Sequence, residues 1–374
     1  MERSIKTTAF SWHYCISFHT ALITITDMPS DNKTVLVSGV SGFVGSWVAL
    51  TFLERGWQTR GTVRSQSKVD VLKQSSPKLK KYIDEGKFEI FIVEDVITGD
   101  FSKALEGCDT FAHTASPFAT SGSNNEEDFL KPALNGTQNA LRAAKKAGIK
   151  NFVVTSSFAS NLDMSDDKMP LNGKTYNEKD WNPFTYEFAA KSDVPVIGYA
   201  TSKVVAERAC WDFQKQEGLE GKMSIASICP PMIFGPFIHQ SDASKLGESL
   251  GQVRDLVNGT AKEIPPTGFP VYADVRDVAL AHVLSAEKGA NARYCIYNGQ
   301  FDNEWVADFA HKDFSEQASK YGVPKSDSGK DRLLGNDKLL KIDTTKSRQE
   351  LGLKYDHSME QTFHDMIADI YKAM

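Results

Sequence analysis

Five cysteines in 374 residues, none spaced C-x-x-C, are too few and too scattered for a disulfide framework. Cys15, Cys108, Cys210, Cys229 and Cys295 fit a reducing compartment, so a cytoplasmic protein is expected. Three of them (Cys108, Cys210 and Cys229) sit in apolar runs and read as small buried hydrophobes. No stretch approaches the roughly 18 uncharged apolar residues of a membrane helix. No basic surplus exists either. The formal net charge is −5, which argues against nucleic acid and membrane surfaces as partners. Metal dependence is not expected, because no H-E-x-x-H and no paired Cys/His ligand spacing occurs. Internal repeats and low-complexity tracts are also lacking.

What remains is ordinary globular material, 41% hydrophobic and 24% charged, enough for a sizeable core. Strand-like and helical segments alternate along the first half. TVLVSG (34–39), QTRGTVR (58–64), FEIFIVEDV (88–96), CDTFAHTAS (108–116), NFVVTSS (151–157) and SIASICP (224–230) read as strands. SWVALTFLERG (46–56), the segment 128–148 and the segment 199–218 carry helical spacing and end at Gly56, Gly148 and Gly218. Such alternation predicts βαβ crossovers and a parallel α/β sheet buried on both faces. Residues 159–198 form a long polar insertion near the expected site. Residues 1–30 precede any fold signal and are read as a disordered leader, or as an over-extended start with Met28 the true initiator.

The first strand runs into Gly39-Val-Ser41-Gly42-Phe43-Val44-Gly45 and a helix follows. Three glycines at this spacing mean little alone. Between a strand and a helix they form a phosphate cradle: Gly39 for the turn, Gly42 for close approach to a pyrophosphate, Gly45 for helix–strand packing. An NAD site places a carboxylate at the end of the second strand. Here that strand ends Thr62-Val63-Arg64-Ser65, with Lys68 close behind, and no acid. A guanidinium and an ammonium suit a 2′-phosphate, so the expected cofactor is NADP(H). Asp95 and Val96, closing the third strand, are candidates to hold adenine.

Tyr199 and Lys203 stand one helical turn apart on one face. A free phenol has a pKa near 10, and a neighbouring cation lowers it towards the range a general acid needs. Tyr321 and Lys325 share the spacing, but Gly322 and Pro324 break that segment. Ser156 and Ser157 end the fifth strand, where ligands bind in open α/β sheets. Ser157, nearer the open end, is preferred as the hydroxyl that polarises a substrate carbonyl.

Together these segments resemble the extended short-chain dehydrogenase/reductase superfamily, over residues 33 to 372. They are most similar to fungal NADPH-dependent aldehyde, methylglyoxal and ketone reductases and to plant dihydroflavonol reductases. The resemblance rests on HTASPF (113–118), PALNGTQN (132–139), VTSS (154–157), YATSK (199–203), CPPMIFGP (229–236), YADVRDVALAH (272–282) and DTTKSRQELG (343–352). Pro230-Pro231 departs from the single proline usual in relatives.

The resemblance implies a Rossmann-type doubly wound sheet over 31–235 and a smaller mixed substrate lobe over 236–374, with 271–300 returning to the first domain. It also implies Ser157, Tyr199 and Lys203 as catalytic residues reducing an aldehyde or ketone. Thr114, Ala115, Ser116, Pro230, Met232 and Ile233 would line the nicotinamide side. Phe118, Phe158, Met232, Ile233, Phe237 and Tyr272 are the expected apolar pocket edges for a small-molecule carbonyl substrate. Three other readings share the fold: a sugar-nucleotide epimerase or dehydratase using NAD, which Arg64 disfavours, a hydroxysteroid dehydrogenase, and a non-enzymatic redox sensor, which Tyr199 and Lys203 disfavour. The sequence carries no signal for oligomeric state.

Overall fold

Val35, Leu36 and Val37 are consecutive and all wholly buried, the mark of a strand covered on both faces. They lie in β1 (Thr34–Ser38) in a computed structural model that describes residues 33–116, 124–239, 248–327 and 332–374. The expected leader therefore falls outside the described residues.

After β1 come α1 (Phe43–Glu54), β2 (Gln58–Val63), α2 (Gln66–Ser75), α3 (Pro77–Asp84), β3 (Phe88–Ile92), a short α4 (Ser102–Leu105) and β4 (Thr110–His113). A π-turn at Glu126–Leu130 leads into α5 (Lys131–Ala147), followed by β5 (Asn151–Thr155). The insertion holds β6 (Thr175–Tyr176) and α6 (Tyr186–Ala190), and leads to α7 (Pro195–Gln216) and β7 (Ser224–Cys229). The remainder comprises β8 (Met232–Phe234), α8 (Glu248–Val257), β9 (Val271–Asp274), α9 (Val275–Lys288), β10 (Ala292–Cys295) and β11 (Gly299–Gln300). It closes with α10 (Asn303–Asp313), α11 (Ser315–Tyr321), β12 (Lys341–Ile342) and α12 (Met359–Lys372).

Seven strands form one parallel sheet in the order β10-β7-β5-β4-β1-β2-β3. Alternate side chains along each strand leave on opposite faces. Val35 and Val37 therefore join α1 and α9 in one core, while Leu36 joins Phe111, Phe152, α5 and α7 in another. The strand order reverses at β1, so the crevice beyond the carboxyl ends of β1 and β4 is the topological switch point, where ligands bind.

A second layer is smaller. The strands β11-β9-β8 make a mixed sheet, with β8 and β9 parallel and β11 antiparallel to β9. Phe234, Tyr272, Phe301 and Phe363 fill its core with α8, α10 and α12. β8 thus belongs to the small sheet, although it precedes residue 236. Leu351 and Leu353, near the carboxyl end, pack back into the core that holds Val35 and Trp47. Among the described residues, no helix is long and apolar enough to cross a membrane.

Candidate active site

The glycine loop has the shape its sequence predicts. Gly39 adopts φ +74°, and its N–H donates to the Thr62 carbonyl at 3.0 Å, tying the turn to β2. Gly42 is the N-cap of α1, and no side chain caps that helix among the described residues, as suits a helix start that is to receive an anion. A Cβ on Gly45 would sit 2.4 Å from the Gly39 carbonyl oxygen and 2.7 Å from Thr114 Oγ1. Only glycine lets α1 start this close to β1 and β4. Such a cradle, with the positive end of a twelve-residue helix above it, fits a pyrophosphate. Phe43 and Val44 open onto the adjoining cavity; Ser41, half-buried, lies in the same loop.

Arg64 follows directly on β2, and Lys68 lies in the first turn of α2. Both are exposed, and neither is paired with a carboxylate among the described residues. The third strand stops at Ile92, not at Val96. Asp95 instead caps its own turn, accepting from the Ile97 N–H at 2.9 Å and the Thr98 hydroxyl at 3.0 Å. Val96 packs on the core beneath, its carbonyl accepting from Asn139 at 3.1 Å.

Pro195 opens α7 at a position where its missing N–H costs nothing, and the helix carries both Tyr199 and Lys203. The Lys203 ammonium lies 5.3 Å from the Tyr199 ring centre and donates to Ser116 Oγ, just past β4, at 3.3 Å. Lys203 is half-buried at the edge of the cavity, and burial pulls its pKa down to about 8. His113 below it is neutral for the same reason, pulled down to about 4 by burial first and the Lys203 charge second. Its Nδ1 sits 3.0 Å from the Ser38 hydroxyl, which in turn accepts from the N–H groups of Thr114 and Ala115.

Tyr199, Lys203, Ser156, Ser157, Thr114 and Ser116 all line one cavity of about 820 Å³, which also receives Pro230, Met232 and Ile233. Ala115 lines a smaller recess behind it. The two serines differ in what they touch. Ser156 donates to a buried carboxylate, Glu207 Oε2, at 2.7 Å. Ser157 accepts from the Ala159 N–H at 3.2 Å, leaving its own proton uncommitted among the described residues.

The expected pocket edges need correction. Phe158 is fully buried, turned away into a cluster with Tyr176 and Phe269. Tyr272 is buried among Phe234, Phe301 and Phe363. Phe237 packs edge-on to Phe43 at 6.4 Å and does not line the cavity. Phe118 lies outside the described residues. The apolar walls come instead from Phe129, Leu162, Met164, Val196, Leu250 and Phe269. Three of these belong to the insertion, which carried no periodic signal of its own. One acidic cluster elsewhere, Asp274, Asp277 and His357, has ligand-like spacing. Its atoms are spoken for: Arg276 and Thr362 hold Asp274, while Asn298 and His357 hold Asp277.

A doubly wound parallel sheet, a glycine cradle at its switch point and a tyrosine–lysine pair in the adjoining cavity define a dinucleotide-dependent enzyme of the short-chain dehydrogenase type. Residues 35–298 match the NAD dependent epimerase/dehydratase family, and the chain belongs to it. Among its relatives, a putative NADPH-dependent methylglyoxal reductase of Candida albicans is 33% identical, over 91% of this chain and 99% of that protein. The NADPH-dependent methylglyoxal reductase of Saccharomyces cerevisiae is 31% identical, over 91% and 98%. The crystal structure of Gre2 from Candida albicans in complex with NADPH superposes with a TM-score of 0.76 at 33% identity, covering 91% of this chain and 99% of that one.

Proposed function

We propose that the protein is an NADPH-dependent reductase that converts the carbonyl of a small, largely apolar aldehyde or ketone to an alcohol, with Ser157, Tyr199 and Lys203 as its catalytic residues. The observation that carries this is the meeting of Tyr199 and Lys203 with the Gly39–Gly45 cradle in one cavity. The NADPH dependence named for the curated relatives supports the cofactor assignment.

In this reading the loop glycines and the N-terminus of α1 hold the pyrophosphate, and Arg64 and Lys68 hold the 2′-phosphate. Bound NADPH supplies the hydride. Ser157 donates a hydrogen bond to the substrate oxygen, favouring the charge that develops there. Tyr199 gives that oxygen its phenolic proton, so the product leaves as a neutral alcohol. The Lys203 ammonium stabilises the phenolate left on Tyr199, which regains a proton from solvent. Met232, Leu162 and Phe269 offer an apolar bed for the substrate body, and half-exposed Val196 stands at its mouth. The four described cysteines are buried and free, in keeping with a reducing, cytoplasmic setting.

The test is consumption of NADPH and NADH, followed by nicotinamide absorbance, against small aldehydes, diketones and bulkier cyclic ketones. Turnover that is faster with NADPH is expected. Tyr199→Phe should lower it by about 10²-fold or more while NADPH affinity stays within about twofold, the scale of a lost general acid. Purification with tightly held NAD and no carbonyl reduction would overturn the reading in favour of an epimerase or dehydratase.

A further inference from the structure

Glu207 is a buried carboxylate on α7, one turn beyond Lys203, and takes no part in the chemistry described above. Side chains from the turn after β5 and from β10 converge on it. Its Oε2 accepts from the hydroxyls of Ser156 at 2.7 Å and Ser160 at 2.6 Å, the residues that bracket Ser157. Its Oε1 accepts from Arg293 Nε, in the edge strand β10, at 2.6 Å. Arg293 itself is buried. Its Nη1 donates to the carbonyls of Glu178 and Asp180 in the insertion, at 2.7 and 2.8 Å. The Trp181 ring lies 3.6 Å from its guanidinium carbon. Next to it, Asn182 binds the Ser160 carbonyl through its N–H at 2.8 Å and the Ala159 carbonyl through its side chain at 3.1 Å.

A buried ion pair seldom adds net stability over well-packed apolar groups. What this one supplies is register. The helix that carries Tyr199 and Lys203 is tied through Glu207 to Ser156 and Ser160, on either side of Ser157, and the insertion is clamped to the same turn. Of the three serines in the turn, Ser156 and Ser160 are bound to Glu207, while Ser157 lines the cavity without that tether.

We propose that Glu207 is a positioning residue that fixes the Ser157 hydroxyl relative to Tyr199 and Lys203, acting through Ser156 and Ser160. The proposal rests on the reading of Ser157 given above. Misplacing a reacting group by about 1 Å costs on the order of 10²-fold in rate, so a looser turn is readily measured.

The experiment compares Ser157→Ala with the double variant Ser156→Ala/Ser160→Ala, which leaves the Glu207–Arg293 pair intact. Glu207→Gln strands a buried guanidinium and is kept as a secondary variant, used only if its circular dichroism matches the parent. The readouts are kcat, KM for NADPH, and the isotope effect with NADPH deuterated at the transferred position. The double variant is expected to lose about tenfold or more in kcat, with KM for NADPH within about twofold and a larger isotope effect, because hydride transfer becomes rate-limiting. Ser156→Thr/Ser160→Thr, which keeps both hydroxyls, should recover most of the rate lost in the double alanine variant. A kcat within twofold of the parent overturns the proposal. So does a fall that merely tracks the folded fraction with the isotope effect unchanged, since that is a structural role. Full activity in Ser157→Ala sinks the catalytic reading of Ser157 and this proposal with it, whereas an inactive Ser157→Ala beside a normal double variant sinks this proposal alone.

Discussion

Replacing Gly45 by alanine tests the phosphate cradle most sharply, and Gly42 supplies its control. At Gly45 the added Cβ meets a backbone carbonyl oxygen at 2.4 Å and Thr114 Oγ1 at 2.7 Å. The threonine can rotate, but its hydroxyl is already bonded to the Ser38 carbonyl, and the Gly39 carbonyl belongs to the turn itself. Relief must come from moving the start of α1 away from β1 and β4. Overpacking of this kind costs about 1–3 kcal/mol. If the N–H groups of the displaced first turn hold the pyrophosphate as proposed, a comparable loss in binding is about 5- to 150-fold in NADPH affinity.

At Gly42 the backbone sits at φ −89°, ψ 165°, open to any residue, and among the described residues a Cβ meets only the Gly39 oxygen, a tight contact at 3.2 Å that a few tenths of an ångström relieve. Gly42→Ala should therefore leave the melting temperature of the free protein unchanged or slightly raised. It should still weaken NADPH, because the methyl group occupies the space of the approaching phosphate. Differential scanning fluorimetry of each variant alone, and fluorescence titration with NADPH, separate the two effects. If Gly45→Ala melts like the parent and binds NADPH within twofold, the close approach of α1 does not build the cradle.

Arg64→Ala should weaken NADPH by about tenfold, the worth of a charge-assisted hydrogen bond, and leave NADH nearly unchanged; equal effects on the two cofactors would place the 2′-phosphate elsewhere. The Lys203 pKa of about 8 sets a pH window with a definite sign. The ammonium is present below that value and lost above it, so kcat/KM for the carbonyl should fall as pH rises through about 8. A parent profile flat from pH 7 to beyond pH 9 would remove Lys203 from the proton-transfer step.

Much of this site was legible because its parts are local. A glycine loop between strand and helix, a charged strand end and a Tyr/Lys pair one turn apart each lie within a dozen residues, and spacing alone brings them to one end of a parallel sheet. The pocket walls are different. Phe158 and Tyr272 stand next to strand ends, as lining residues should. Yet the turn after Ser157 rotates Phe158 inward, and the small sheet offers Tyr272 an aromatic core. Which side wins is decided by partners far along the chain. The edge strand β10 was hidden for a related reason. It is only four residues, Ala-Arg-Tyr-Cys, and its arginine reads as a surface charge until Glu207 and Trp181 are seen around it.

The return of Leu351 and Leu353 to the first core bears on how this protein comes into being on the ribosome. Multidomain chains usually fold from the amino end as they emerge. Here the dinucleotide half is not finished by its first strands. It waits for β10 to extend the sheet past β7, and then for a plug, Leu351 and Leu353, made well after the small sheet. A nascent chain halted near residue 290 holds every residue assigned to catalysis, yet has an open sheet edge and an unfilled core beside Trp47. Competence to bind the cofactor should thus appear only once residues 351–353 have joined the first core. Carboxyl-terminal truncations that remove residue 351 onward should aggregate, although they delete nothing from the active site.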